Sequence, residues 1–325
     1  MYANQEMEQL DMDKMKKLQL ERLKRTVSWA AEKSLFYQRK FDDEGISEPE
    51  LNELSDISKL PFTTNKELLE TPGSEFLTLP FSSISRVARW EHPQYAVHYY
   101  TQNDIAANVE MVSRALAAAG ITRASVVGLL GDMADSGLMD TQYALEMLGA
   151  TAIPLSTEYE RAIMLLGATS TDVLVGSARR LLRFVIQSQA DGKDIADYPV
   201  KKIICLTEGL QNPLRAHIER RTNTVVYNLY SSSVFGALGM LYQCESHVGQ
   251  HVAEDHYYPE IVAFGSDEII TSTSVMGELV LTTLTSEGMP IIRGRTGQPV
   301  MMIDTPCPCG RKLMRLNTPT AAFGQ

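Results

Sequence analysis

Between Thr101 and Tyr230 five short apolar runs, "SVVGLL", "ATAIPL", "TDVLVG", "VKKIICL" and "TVVYNLY", recur at intervals separated by stretches of helical spacing. The runs are largely apolar and do not alternate regularly with polar residues, the signature of strands covered on both faces. Strands of that kind, each followed by a helix, build a parallel sheet with helices on either side. The segment opens with "YTQNDIAANVEMVSRALAAAG", where Thr101 is placed to cap a helix, Ile105, Val109, Val112 and Leu116 share one face, and Gly120 stops it. Further helices are predicted over 140–148, 158–166, 178–190, 213–220 and 234–242. Open sheets of this type bind ligands beyond the carboxyl ends of their strands, which directs attention to the loops after Leu130, Leu155, Leu206 and Tyr230.

The flanks follow other patterns. Residues 7–43 read as a long amphipathic helix, in one piece or two, with Leu20, Leu23, Val27 and Ala30 near one stripe. Thr63 or Thr64 is positioned to cap a short helix from Asn65, and an irregular stretch runs over 71–100. From His256 onward "YYPEIVAF", "GELVLTTL" and "MPIIRGRTG" are closely spaced strands of a small antiparallel or barrel-like unit. The expected division is a helical segment over 1–70, α/β lobes over 71–245 and a β-rich unit over 246–325.

The bulk properties narrow the partners. A net charge of -10 argues against a phosphate backbone, which calls for a basic surface. No apolar run spans a bilayer and no signal segment opens the chain, so the expectation is a cytoplasmic protein with neither nucleic-acid nor membrane partners. Four cysteines in 325 residues make no disulfide framework, leaving buried thiols, metal ligands or redox chemistry.

Three clusters carry candidate chemistry. "GDMADSGLMD" gathers Asp132, Asp135, Ser136 and Asp140 after a predicted strand; the acids can bind a polar substrate or move a proton, or they are loop acids with Ser136 as a helix cap. "YSSSVF" sets Ser231, Ser232 and Ser233 at the end of the last predicted parallel strand; a serine there is either a nucleophile, with His256 as its base, or the cap of the helix expected next. Asp132, Asp135, Ser231, Ser233 and His256 are expected to border one cleft. "CPCGR" places Cys307 and Cys309 one residue apart, half of a tetrahedral metal site or two reduced thiols.

Taken in order and spacing, "SLFYQRKFDDEGI", "DISKLPFTTNKELL", "YTQNDI", "LGATAIPLS", "EDHYYPEIV", "GELVLTTLTSEGMPIIRGRT" and "CPCGR" resemble the phenylacetate-CoA ligase family of adenylate-forming enzymes, from about Leu20 to Leu316. The resemblance implies the N-terminal domain of that fold, two parallel-sheet α/β lobes with a small β-rich unit. Members join a carboxylate to AMP using ATP and magnesium, then to coenzyme A. It also implies nucleotide contacts for Glu208 in the adenine-side loop, Tyr230 as the stacking aromatic, and Arg293 and Arg295. Cys244 and His251 in "QCESHVGQH" resemble the Cys and His of zinc-containing members; with Cys307 and Cys309 they make a Cys3His set for structural zinc, with His247 as the competing fourth ligand and Cys205 a core residue.

The chain departs from the family pattern at four places. The stretch "RVARWEHPQYAVHY", where members carry a Ser/Thr/Gly-rich phosphate loop, contains none of those residues. Val234 stands where a magnesium-associated glutamate is expected, Gln298 where a ribose-binding aspartate is expected, and the sequence given stops at "RLNTPTAAFGQ", about where a C-terminal lid would begin. The leading expectation is therefore a divergent relative that binds an acyl carboxylate or thioester, or transfers, cyclises or hydrolyses it, without ATP and magnesium. The alternatives are an active ATP-dependent acyl-CoA ligase, and a non-catalytic partner of a complete ligase. A homodimer is a further possibility of assembly.

Overall fold

Ser34 divides the N-terminal helical stretch. It closes α2 (Met12–Lys33), its N–H donating to the Ala30 carbonyl, and it opens α3 (Leu35–Asp43), its hydroxyl accepting from the Tyr37 N–H. A short α1 (Gln5–Glu8) precedes them. The computed structural model describes residues 1–47, 49–90, 96–273 and 275–318. On α2 the residues Leu23, Val27 and Ala30 are buried, as their spacing requires, whereas Leu20 is only partly covered.

Of the two candidate threonines, Thr64 caps α4 (Asn65–Glu70), in a reciprocal box with Glu67. Thr63 does something else: its hydroxyl donates to the Ile292 carbonyl at 2.6 Å and accepts from Tyr37 at 3.1 Å. The stretch expected to be irregular contains an antiparallel hairpin, β1 (Arg86–Trp90) and β2 (Ala96–Tyr100). The five residues 91–95 of the expected phosphate-loop stretch lie outside the described residues. Helix α5 (Gln102–Ala118) follows, capped by Thr101, whose hydroxyl accepts from the Asp104 N–H while Asp104 accepts from the Thr101 N–H.

By Cα proximity the chain forms two compact units. One holds residues 1–3, 108–232 and 237–247. Its strands are β3 (Val126–Leu130), β4 (Thr151–Leu155), β5 (Val173–Ser177), β6 (Lys202–Thr207), β7 (Val225–Ser232) and β8 (Ala237–Tyr242). They lie in the order β8-β7-β6-β5-β3-β4, parallel except for β8. Helices α6 (Ser136–Leu148), α7 (Tyr159–Ala168), α8 (Ala178–Ala190) and α9 (Arg215–Thr222) make the crossovers. Leu130, Leu155, Leu166, Leu174, Phe184 and Ile203 belong to its core.

Two expectations need correction here. Helix α6 starts at Ser136, four residues before the predicted 140, because Asp135 is its cap. The predicted helix over 234–242 is a turn and a strand: β8 pairs antiparallel with β7, Ser231 opposite Leu238 and Ser232 opposite Ala237. The segment is buried all along β8, so its hydrophobicity carries no period, and Gly236 and Gly239 sit at φ of 61° and 78°, outside any right-handed helix.

The other unit holds residues 4–107, 233–236 and 248–325, so the N-terminal helices group with the C-terminal strands. The strands β9 (Gln250–Val252), β10 (Tyr257–Val262), β11 (Gly277–Thr283), β12 (Gly294–Ile303) and β13 (Arg315–Asn317) run antiparallel in the order β10-β11-β12-β13-β9. The core of this unit joins Leu23, Val27 and Tyr37 to Phe76, Met289 and Ile292. Inside it Arg293, 2% exposed, forms a bidentate pair with Glu260 (3.1 and 2.9 Å), donates to the Leu60 carbonyl, and lies 3.7 Å from the Phe62 ring centroid.

Candidate functional site

The Cys/His cluster is assembled by strand register. β9 carries His251 and pairs with β13 at Arg315, and the turn closed by the Gly310 N–H on the Cys307 carbonyl folds Cys307 and Cys309 together. Gly310 takes φ 82°, which a glycine adopts without strain. Ligand atoms of Cys244, His251, Cys307 and Cys309 all lie within 4.8 Å of one another; the first three residues are buried and Cys309 is partly exposed. Cys309 Sγ is 3.3 Å from His251 Nε2. Tetrahedral zinc with sulfurs at ~2.3 Å sets them about 3.8 Å apart, so the four side chains fit a closed metal site with small adjustments. His247, the rival ligand, is outside the cluster: its ring stacks on Tyr227 with centroids 4.5 Å apart and accepts from Arg215 at 3.3 Å. Cys205 is fully buried in β6, and burial pushes its thiol up to about 12.

A second constellation was not foreseen from the sequence. His98, in β2 and 5% exposed, donates through Nε2 to the Ser233 carbonyl at 2.7 Å. Burial disfavours the imidazolium and holds this histidine down at about 4, so the ring is neutral. Tyr100 donates to the Gly236 carbonyl at 2.7 Å, and a Cβ at Gly236 would meet the His98 ring at 2.4 Å. His98 lines a cavity of about 210 Å³ whose walls include Leu68, Phe76, Val97, Val234 and Met289. The signal was weak because the lining is drawn from four separated stretches, none with a motif of its own.

The other sequence-derived candidates have defined places. Asp132 accepts from the Ala134 N–H at 3.0 Å, and Asp135 accepts from Gly137 and Leu138 at 2.8 and 3.3 Å as the α6 cap. Ser231 and Ser232 lie within β7, and Ser233 begins the turn into β8. No helix follows the serines, so neither a helix cap nor an oxyanion site at a helix N-terminus arises there. His256 Nδ1 is 2.9 Å from the Thr285 hydroxyl and its Nε2 is 3.5 Å from Asp255. Asp132, Asp135 and Ser231 belong to the first unit, Ser233 and His256 to the second.

Of the residues matched to nucleotide contacts, Glu208 is exposed in the turn after β6. Tyr230 is 2% exposed in β7, and burial raises its phenol well above the ordinary value. Arg295 pairs with Glu278 at 2.8 Å and lies 4.3 Å from the Phe62 centroid. Gln298 sits partly buried in β12. Among the described residues no helix is long and apolar enough to cross a membrane.

This architecture is that of the adenylate-forming CoA ligases. It superposes on 2-hydroxyisobutyryl-CoA ligase, solved in an open conformation with 2-HIB-AMP and CoA, with a TM-score of 0.86 and 20% identity over 95% of this chain and 70% of that one. No family model matches the chain. In sequence it is 30% identical over 326 residues to a phenylacetate-coenzyme A ligase of Aromatoleum evansii, covering 97% of this chain and 69% of the relative. It is 31% identical to that of Escherichia coli, over 89% of this chain and 67% of the relative. The chain belongs to the phenylacetate-CoA ligase family.

Proposed function

We propose that this protein binds an acyl group, as the carboxylate or as its thioester, without driving adenylation by ATP and magnesium. The observation that carries the reading is the setting of Val234. Where the family pattern places a metal-associated carboxylate, this chain has an apolar side chain in a wall shared with Leu68, Phe76, Val97 and Met289. A magnesium ion needs oxygen ligands, and valine offers none in place of the expected carboxylate. The stretch 86–99 supports the same reading: it offers no glycine, serine or threonine to wrap backbone N–H groups around phosphate oxygens, and Gln298 replaces the expected ribose carboxylate.

In this reading the Cys244, His251, Cys307 and Cys309 cluster holds structural zinc, since a closed four-ligand shell leaves no position for substrate. The partner is a small acyl compound, and the compartment is the reducing cytoplasm, where free thiols persist. The test is pyrophosphate exchange into ATP with phenylacetate and a panel of carboxylates, beside calorimetric titration with the corresponding CoA thioesters. Thioester or carboxylate binding without exchange above the blank is expected. Exchange at ordinary ligase rates by this chain overturns the reading in favour of an ATP-dependent ligase, and absence of any acyl binding favours a non-catalytic partner of a ligase.

A further inference from the structure

The cavity beside His98 has the makings of a ligand site whose chemistry differs from that of an acyl anion. Its walls combine the apolar side chains Leu68, Phe76, Val97, Val234, Met289 and Ile291 with a polar share about as large, to which Glu70, Thr71 and His98 belong. Gly73 also lines it, and a Cβ there would lie 2.7 Å from the Val97 carbonyl, so a bulkier residue would force that wall outward. Glu70 and Val97 line the cavity and are themselves exposed, which places its mouth between α4 and β2.

Size and charge set the class of occupant. A dry apolar cavity of roughly 150 Å³ accepts benzene. About 210 Å³ therefore has room for one ring with a short substituent. No lysine or arginine lines the cavity, His98 is neutral, and Glu70 stands at the mouth. An anion entering would lose its hydration with no counter-charge to meet it. The one buried polar side chain on the wall, His98, has its Nε2–H committed to the Ser233 carbonyl, and its Nδ1 faces Gly236, where a Cβ would lie 2.5 Å from it.

We propose that this cavity binds a small uncharged molecule, a single ring bearing a short neutral substituent, the ring lying against Phe76, Val234 and Met289. Carboxylates, phosphates and thioesters are excluded from it. The inference is independent of acyl binding elsewhere on the chain. Exchange and thioester titration test that reading, whereas this one is read with a neutral probe and no nucleotide or thioester present.

The test is a titration of the full chain with benzyl alcohol, followed by amide chemical shifts and calorimetry, with benzoate as the charged control. Saturable binding with a Kd of about 1 mM or tighter is expected, a modest value for eight heavy atoms. The shifts should fall on residues 68–76, 97–98 and 289–291, and benzoate should bind at least tenfold more weakly. Val234→Phe fills the cavity and should weaken benzyl alcohol at least tenfold; should that variant not fold, Val97→Phe at the mouth serves the same purpose. Absence of saturable shifts, benzoate binding as tightly as the alcohol, or unchanged affinity in a folded filled variant each overturns the proposal.

Discussion

His98 and Ser233 are joined by a hydrogen bond of 2.7 Å from the ring Nε2 to the backbone carbonyl, between residues 135 apart in sequence. The bond ties the hairpin of β1 and β2 to the turn that precedes β8, and Tyr100 repeats the tie at the Gly236 carbonyl. Both donors are buried, so the turn's carbonyls are satisfied without water.

The buried neutral state of His98 makes stability depend on pH. The folded ring titrates at about 4, below its ordinary 6.5. Between those values the unfolded chain takes up a proton that the folded chain refuses, so stability rises with pH through that window, is fully present above it, and is lost as pH falls toward 4. The full effect is roughly 3 kcal/mol if the whole depression is realised. Glu254, raised by burial to about 7 from 4.5, acts oppositely, its contribution lost as pH rises toward 7. Urea unfolding at pH 5 and pH 7.5 in wild type and His98→Gln separates the two: the wild type should lose more stability than the variant on acidification. Equal losses in both would refute the assignment.

The Cys/His cluster predicts one zinc per chain by elemental analysis. Chelation, or Cys307→Ser, should remove the metal and lower Tm, since binding energy at a closed site is folding energy. His247→Ala should leave the metal in place, because that ring is engaged with Tyr227 and Arg215. Retention of metal and unchanged Tm in Cys307→Ser would rule out the site.

What the sequence disclosed follows from how local each signal is. The strands β3 to β6 were legible because each is a largely apolar run followed by a helix, β7 because it continues that series, and Thr64 was legible as a cap because Glu67 completes its box within three residues. β8 was not: it is buried throughout, so its hydrophobic pattern carries no period, and only its pairing with β7 shows which way it runs. Spacing could not choose between His247 and His251; the pairing of β9 with β13 does. The His98 cavity draws on residues from Leu68 to Ile291, and no window of sequence holds enough of it to be seen.

The pair of Arg293 with Glu260 carries a separate stability prediction. Both side chains are at most 3% exposed, and Arg293 also donates to the Leu60 carbonyl at 2.7 Å. Arg293→Met leaves a buried carboxylate without its partner, expected to cost about 3–5 kcal/mol. The double change Arg293→Met with Glu260→Gln should cost less than the sum of the two single changes, because the orphaned charge is gone. Arg293→Lys cannot keep the bidentate contact or the stacking on Phe62 and should also destabilise. Denaturant midpoints measure all four; additive costs would mean the pair is uncoupled.

Asp135 separates a structural role from a chemical one. Its carboxylate accepts from the Gly137 and Leu138 N–H groups, which satisfies the first turn of α6 and places a negative charge where the helix dipole favours it. Asparagine keeps the accepting oxygen and loses only the charge; alanine loses both. If the residue is a cap alone, Asp135→Ala costs about 1 kcal/mol in unfolding free energy, while Asp135→Asn costs a few tenths and leaves acyl-thioester affinity unchanged. If Asp135 also contacts an acyl ligand through its charge, Asp135→Asn weakens thioester binding severalfold at unchanged stability. We expect the first outcome, because the carboxylate Oδ1 accepts two hydrogen bonds from the first turn of its own helix, and calorimetric titration of the asparagine variant beside its denaturation curve distinguishes the two.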